Sequence, residues 1–135
     1  MRRDCCRWLF CAAALAAILM LSGCGKDPVV GKWVDTQYRE QTWEFRADGT
    51  ATWSMDFEKM RGRLNAKYPG YQAAVNASIE KKRRQLQEFN TDVHWVKAAG
   101  GYNVTTRTMG AMPCRIVSKN VLDVNDGHAF IRVAN

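Results

Sequence analysis

The chain has 135 residues, of which 24% are charged and 47% are hydrophobic, and its formal net charge at pH 7 is +7. A chain of this length can build one compact hydrophobic core but not two, which excludes a multidomain protein. The positive charge favours contact with anionic surfaces such as phospholipid headgroups, although scattered lysines and arginines on a soluble domain are the simpler explanation.

The first 24 residues have the features of an export signal, in the usual order. Three arginines precede the uncharged stretch from Trp8 to Leu21. This stretch is shorter than the about 20 apolar residues that a membrane-spanning helix needs. It ends in Leu21-Ser22-Gly23-Cys24, where two small residues would give a peptidase access to the backbone.

This segment resembles the signal peptide and lipobox of bacterial lipoproteins. The resemblance implies that residues 1–23 are removed and that Cys24 carries the lipid, palmitate included, with 24–28 as a lipidated tether. Because Gly25 is not the aspartate that retains lipoproteins at the inner membrane, it also implies an outer-membrane anchor facing the periplasm. An export signal with an incidental Cys24 is the alternative, and in either case we expect no nucleic-acid partner.

The first part of the remaining chain is predicted to form strands. Hydrophobic and polar residues alternate in 42–46 and again in 50–55, which places Trp43 with Phe45 and Trp53 with Met55 on inward faces. Between these two segments lies Ala47-Asp48-Gly49, where glycine supplies the positive φ of a tight turn. We therefore predict a β-hairpin here.

The spacing of hydrophobic residues then changes from every second residue to the three- or four-residue spacing of a helix. Phe57, Met60 and Leu64 recur at spacings of three and four residues, and Val75 and Ile79 continue a similar stripe after Pro69-Gly70. This pattern predicts a helical hairpin or a kinked helix pair over about 56–90. The same region carries the run 81–84 of four cationic residues, which could contact anionic headgroups or simply be solvated.

Strands return from about residue 92 to residue 133. Alternating segments include 93–97, 102–106 and 121–124, and Asn125-Asp126-Gly127 indicates a second tight turn. In total we count about six or seven strands. The predicted class is α+β, an antiparallel β-meander or incomplete barrel with a helical insertion after the first β-hairpin.

Several of these segments together resemble small bacterial lipocalin-like proteins. The similar parts are Gly31-Lys32-Trp33, the hairpin over 43–50 and the closing hairpin of 121–124 with 130–133. The resemblance implies that 29–135 form a lipocalin-like domain. It further implies that the barrel either binds a small apolar ligand or has a purely structural role.

Aromatic residues would form the wall of such a ligand pocket. The candidates are Trp33, Trp43, Phe45, Trp53, Trp95 and Tyr102. The alternative is that these side chains are simply the core, since a domain this small needs them.

We find no sequence pattern that indicates catalysis. His94 and His128 are isolated from cysteine or carboxylate at ligand spacing, and no common nucleophile, zinc or phosphate-binding motif occurs. We therefore expect a non-enzymatic protein without cofactor or metal.

The leading hypothesis is thus a lipid-anchored periplasmic protein that binds a small apolar or lipidic ligand. The first alternative is an interaction module that docks on another envelope protein through the helical insertion. The second is an enzyme inhibitor that uses the loop 108–113.

Overall fold

A computed structural model describes residues 25–134 as eight strands in one antiparallel sheet and two helices. The predicted signal peptide and the lipid attachment at Cys24 lie outside these residues. The strands are β1 (Gly31–Asp35), β2 (Gln41–Phe45), β3 (Ala51–Met55), β4 (Val93–Ala98), β5 (Gly101–Thr106), β6 (Met112–Ser118), β7 (Val121–Val124) and β8 (His128–Arg132). Between β3 and β4 lie the helices α1 (Phe57–Lys67) and α2 (Gln72–Phe89). Neither helix has the length and apolarity to span a bilayer.

The sheet curves until its two edge strands meet. Its order is β3-β2-β1-β8-β7-β6-β5-β4, with every neighbouring pair antiparallel. Thr50 forms an isolated bridge with His94, and the amide of Trp95 donates to the carbonyl of Gly49 at 2.8 Å. The result is a nearly closed, barrel-like sheet.

The predicted α+β class with a helical insertion between strands is confirmed, but the predicted number of strands is wrong. The structure has eight strands rather than six or seven. The shortest of them, β7 with four residues, coincides with the segment 121–124 that alternation predicts.

Both predicted tight turns are confirmed. Gly49 has a φ of +86°, and the carboxylate of Asp48 accepts hydrogen bonds from the amide and the hydroxyl of Thr50. In the β7–β8 turn, Asn125 and Asp126 have φ values of +54° and +52°. Asparagine and aspartate tolerate this left-handed region better than most residues, which explains their place in the turn.

The inward faces of the strands build the main core. Trp33, Trp43 and Trp53 lie side by side across β1, β2 and β3, and the Trp43 and Trp53 rings stack 5.9 Å apart. The buried residues of this core also include Val104, Leu122 and Phe130 from the other half of the barrel. Three adjacent tryptophans therefore form one side of the barrel interior.

The helices pack mainly against each other. Asp56 caps α1, since its carboxylate accepts a hydrogen bond from the amide of Lys59 at 3.0 Å. Met60 of α1 contacts Val75 and Ile79 of α2 in a small second core. The helices are separated by a turn that contains Gly70, whose φ is +86°. The predicted break at Pro69-Gly70 is therefore confirmed, and the pair forms a helical hairpin.

The carboxylate of Asp35 organises the loop between β1 and β2. It accepts backbone hydrogen bonds of 2.7–3.1 Å from five amides, those of residues 37–41. Burial of the carboxyl group would by itself raise the pKa of Asp35. The hydrogen bonds outweigh this effect and hold the pKa below its ordinary value of 3.8. The loop is thus folded around a charged side chain.

The same loop joins the barrel to α1. Glu40 is buried and receives two hydrogen bonds from the guanidinium of Arg63, at 2.7 and 2.9 Å. Arg63 also lies over the ring of Tyr38, 4.1 Å from its centroid. The amide of Asp56 donates to the carbonyl of Glu40 at 2.7 Å. These contacts fix the start of α1 against the barrel.

We expect Asp35→Asn to lower the free energy of unfolding by about 2–3 kcal/mol at pH 7. The reason is that the side-chain NH₂ group of asparagine would face two backbone N–H groups that donate to a carboxylate oxygen in the parent protein. The pKa of Asp35 is lower in the folded state than in the unfolded state, so the carboxylate stabilises the fold fully at pH values above its unfolded-state pKa. This stabilisation is lost as the pH falls through the folded-state pKa. Urea unfolding from pH 7 to pH 3 should show the two proteins converging below about pH 4.

Asp126→Asn is the matched control, since Asp126 is exposed and its carboxylate accepts no hydrogen bond from residues 25–134. This variant should unfold like the parent protein at every pH. An Asp35→Asn variant as stable as the parent at pH 7 would contradict the role assigned to the carboxylate.

Candidate functional site

One end of the barrel, which we call the closed end, is covered by the segment that precedes β1. Val29 is fully buried there, and its carbonyl accepts a hydrogen bond from the indole of Trp33 at 2.8 Å. Arg132 lies 4.1 Å from the centroid of the Trp33 ring and donates to the carbonyls of Val30 and Pro28. The segment is therefore held across the end of the barrel by side chains from two strands.

Charged contacts fasten the same segment to β4 and β5. The hydroxyl of Tyr102 donates to Asp27 at 2.6 Å, and the ammonium of Lys97 lies 2.9 Å from the other carboxylate oxygen. Burial and the hydrogen bond to Asp27 raise the pKa of Tyr102 to about 12. Burial alone would raise the pKa of Asp27, but the hydrogen bonds with Tyr102 and Lys97 outweigh burial and lower this pKa below its ordinary value. At neutral pH the carboxylate is therefore charged and the phenol is a donor.

The other end, which we call the open end, contains a cleft of about 310 Å³. Its size lies at the lower limit of small-molecule pockets, about 300–1,000 Å³. We call it the mouth cleft. Aromatic rings and thioethers form most of its wall, and one valine and four polar side chains form the rest. The lining residues are Gln41, Trp43, Trp53, Met55, Lys82, Phe89, Met109, Met112, Val124, Asn125, His128 and Phe130.

An offset between the two edge strands creates this opening. Because β4 meets β3 only at its start, near Thr50 and His94, the rest of the β3 edge has no strand beside it. Asn90, which follows α2, takes the place of that strand. Its side chain accepts from the amide of Trp53 at 2.9 Å and donates to the carbonyl of Trp53 at 2.6 Å. The end of α2 is thereby fixed to the sheet edge.

The last residue of α2 forms one wall of the mouth cleft. The ring of Phe89 packs edge-on against Trp53, with centroids 5.2 Å apart, and against Trp43, with centroids 6.0 Å apart. Such edge-to-face pairs are a favourable aromatic geometry. Phe89 therefore fixes the positions of both tryptophans from the helical side.

Two of the six aromatic residues predicted to form a ligand wall line the mouth cleft, namely Trp43 and Trp53. Trp33 and Phe45 are buried in the core. Trp95 and Tyr102 pack edge-on against each other with centroids 5.7 Å apart. Trp95 donates to the carbonyl of Arg46 at 2.9 Å, while Tyr102 contacts the segment at the closed end. The structure thus separates the six residues into a cleft pair and a structural group.

The sequence prediction missed the other cleft residues. Phe89 is the last residue of the second helix, inside the region predicted only as helical, and Met109 and Met112 lie in or next to a loop. The available signal was the number of methionines near the ends of elements, since methionine adapts to irregular apolar sites. That signal is visible only once the topology brings β3, α2 and β6 together.

Residues 25–134 contain a single cysteine, Cys114. Cys114 is buried, and burial together with Asp123 raises its pKa to about 12, so the thiol is protonated at neutral pH. No group of three or more histidine, cysteine or acidic residues in this part of the chain is placed to hold a metal ion.

Comparisons with protein-family models, curated proteins and solved structures found no match for this chain. Evidence for the ligand therefore comes from the residues of the mouth cleft itself.

We expect Asn90→Ala to lower the free energy of unfolding by about 1–3 kcal/mol, because the amide and carbonyl of Trp53 would lose their hydrogen-bond partners. Amide hydrogen exchange should show faster exchange at Trp53 in this variant. Gln87→Ala is the control, since Gln87 is exposed on the same helix and its side chain makes no hydrogen bond within the described part of the chain. Equal exchange at Trp53 in all three proteins would contradict the role of Asn90.

Proposed function

We propose that this chain is a non-enzymatic, lipid-anchored envelope protein that binds a small apolar or lipidic ligand in the mouth cleft. The observation that carries the proposal is the composition of the cleft wall. Trp43, Trp53 and Phe89 form its inner part, and Met55 and Met112 extend it toward the opening. A concave apolar site with few polar groups is the usual form of a small-molecule pocket.

The wall also contains an unsatisfied donor. The indole Nε1 of Trp53 is buried and has no hydrogen-bond partner among residues 25–134. A buried donor without an acceptor costs about 1–3 kcal/mol. A ligand acceptor could remove this cost only if the Trp53 ring shifted, because the nitrogen itself is buried.

The barrel shape supports a lipocalin-like domain. The residues that suggested this likeness have defined structural roles, since Trp33 seals the closed end together with Arg132. A Cβ atom at Gly31, whose φ is +139°, would lie 2.8 Å from Nη1 of Arg132. Glycine at this position thus allows the arginine to approach. One sealed end and one open end are the requirements of a cup that holds a ligand.

On this proposal the lipid anchor orients the barrel. Gly25–Pro28 lie at the closed end, and Cys24 immediately precedes them. The closed end would therefore face the outer membrane, and the mouth cleft would face the periplasm.

The anchor predicts that the chain incorporates an alkyne analogue of palmitate in its native host and that Cys24→Ala abolishes the incorporation. The reason is that the Cys24 thiol is the acceptor of the lipid. Cys114→Ala is the control and should label like the parent, because Cys114 is buried. Equal labelling of the parent and the Cys24 variant, or labelling of neither, would contradict the anchor.

Ligand binding predicts that lipid extracts of the purified full-length protein contain a bound species that Met112→Trp removes. The larger ring would fill the mouth cleft, which Met112 lines. Val117→Trp is the control, since Val117 lies on the same strand but is 61% exposed. Mass spectrometry should find the species in the parent and in the Val117 variant alone.

One observation favours the alternative of an interaction module. The tip of the helical hairpin exposes Tyr68 (46%) and Tyr71 (67%) beside an apolar groove formed with Leu64 and Val75. Extracts without any ligand, together with photo-crosslinking from Tyr71 to one envelope protein, would favour this function over ligand binding.

A further inference from the structure

Helix α2 carries a gradient from apolar to cationic along the mouth cleft. Lys82, Leu86 and Phe89 lie on one face of the helix, at spacings of four and three residues. Phe89 is buried against the tryptophans, Leu86 is half-buried and Lys82 is exposed, and all three line the cleft or the groove that continues from it. The polarity of the wall therefore increases steadily from the interior to the rim.

The charge of this rim is positive. No aspartate or glutamate lines the mouth cleft, and the polar residues around it are Gln41, Asn125, His128 and Lys82. Glu88 lines only the adjoining groove and is exposed. Within residues 25–134, no salt bridge involves Lys82. Its ammonium is therefore available to a ligand at the edge of an apolar site.

The neighbouring cations are placed differently. Arg83 packs over the ring of Phe57, 4.7 Å from the centroid, and pairs with Glu80 at 3.6 Å. Lys81 is exposed and does not line the cleft. Of the four cationic residues in 81–84, Lys82 alone lines the mouth cleft.

We propose that the ligand is a single-chain amphiphile with an anionic headgroup, its chain against Trp43, Trp53 and Phe89 and its headgroup at Lys82. This inference rests on the proposed function and specifies its ligand class. A helix rises about 1.5 Å per residue, so the seven residues from Phe89 to Lys82 span about 10 Å. An extended chain advances about 1.2 Å per bond, so about eight or nine bonds cover this distance.

The test compares three ten-carbon probes by calorimetric titration of the purified full-length protein, all below their micelle concentrations. Decanoate and decyl phosphate carry an anionic headgroup, and decanol carries none. We expect both anions to bind the parent protein more tightly than decanol does. Tighter binding of decanoate would indicate a carboxylate ligand, and tighter binding of decyl phosphate would indicate a phosphate ester.

Variants assign the preference to one side chain. Lys82→Gln should weaken binding of the preferred anion about three- to fivefold, as expected for a partly exposed ion pair, and should change decanol binding less than twofold. Lys81→Gln removes the same formal charge from the same helix outside the cleft, so it should leave all three affinities unchanged.

The results separate this inference from the proposed function. Binding of none of the three probes would overturn both. Equal binding of decanol and the anions, or equal effects of the Lys81 and Lys82 variants, would overturn the anionic headgroup while leaving an apolar site in place.

Discussion

The offset between the two edge strands of the sheet is the constraint on which the rest of this structure depends. Only the start of β4 reaches β3, so most of the β3 edge lacks a strand partner. An uncovered edge exposes backbone groups that pair readily with other chains. Here one side chain, that of Asn90, satisfies both backbone groups of Trp53. The barrel remains open at this point, and the edge is nevertheless paired at Trp53.

The position of the helices follows from the way in which Asn90 pairs with the β3 edge. Asn90 holds the end of α2 at the edge, and the pair of buried Glu40 and half-buried Arg63 holds α1 at the loop that Asp35 organises. The helical hairpin is thus attached at both of its ends, while its tip extends away from the barrel. Loss of Arg63 would leave the buried charge of Glu40 uncompensated. Such a contact is suited to fixing one arrangement of helix and barrel.

The sequence was informative where local chemistry dominates. The alternation in 42–46 and 50–55 and the Asp48-Gly49 turn were enough to place a hairpin, since side-chain period and a positive φ are local properties. The spacing of Met60, Val75 and Ile79 likewise showed where the helices lie. Of the candidate ligand residues, Trp43 and Trp53 could be proposed because they face inward on adjacent strands.

The sequence could not show which aromatic residues line the cleft and which have a structural role. Trp33 and Trp43 are equally hydrophobic and occupy equivalent positions on neighbouring strands, yet one seals an end under Arg132 and the other lines a cleft. Their difference depends on which end of the barrel is closed, and the segment before β1 decides that. No periodicity within a strand contains this information.

The sequence by itself determined the type and approximate place of the helices, the strands and the two tight turns, because these follow from the period of side chains and the φ preferences of single residues. Only the tertiary structure decided which end of the barrel is open, which side chains meet there and that Lys82 stands at the rim. These features depend on the stagger of β3 against β4 and on contacts between residues 37 positions apart, such as Trp53 and Asn90. Contacts of that range are set by the packing of the whole chain.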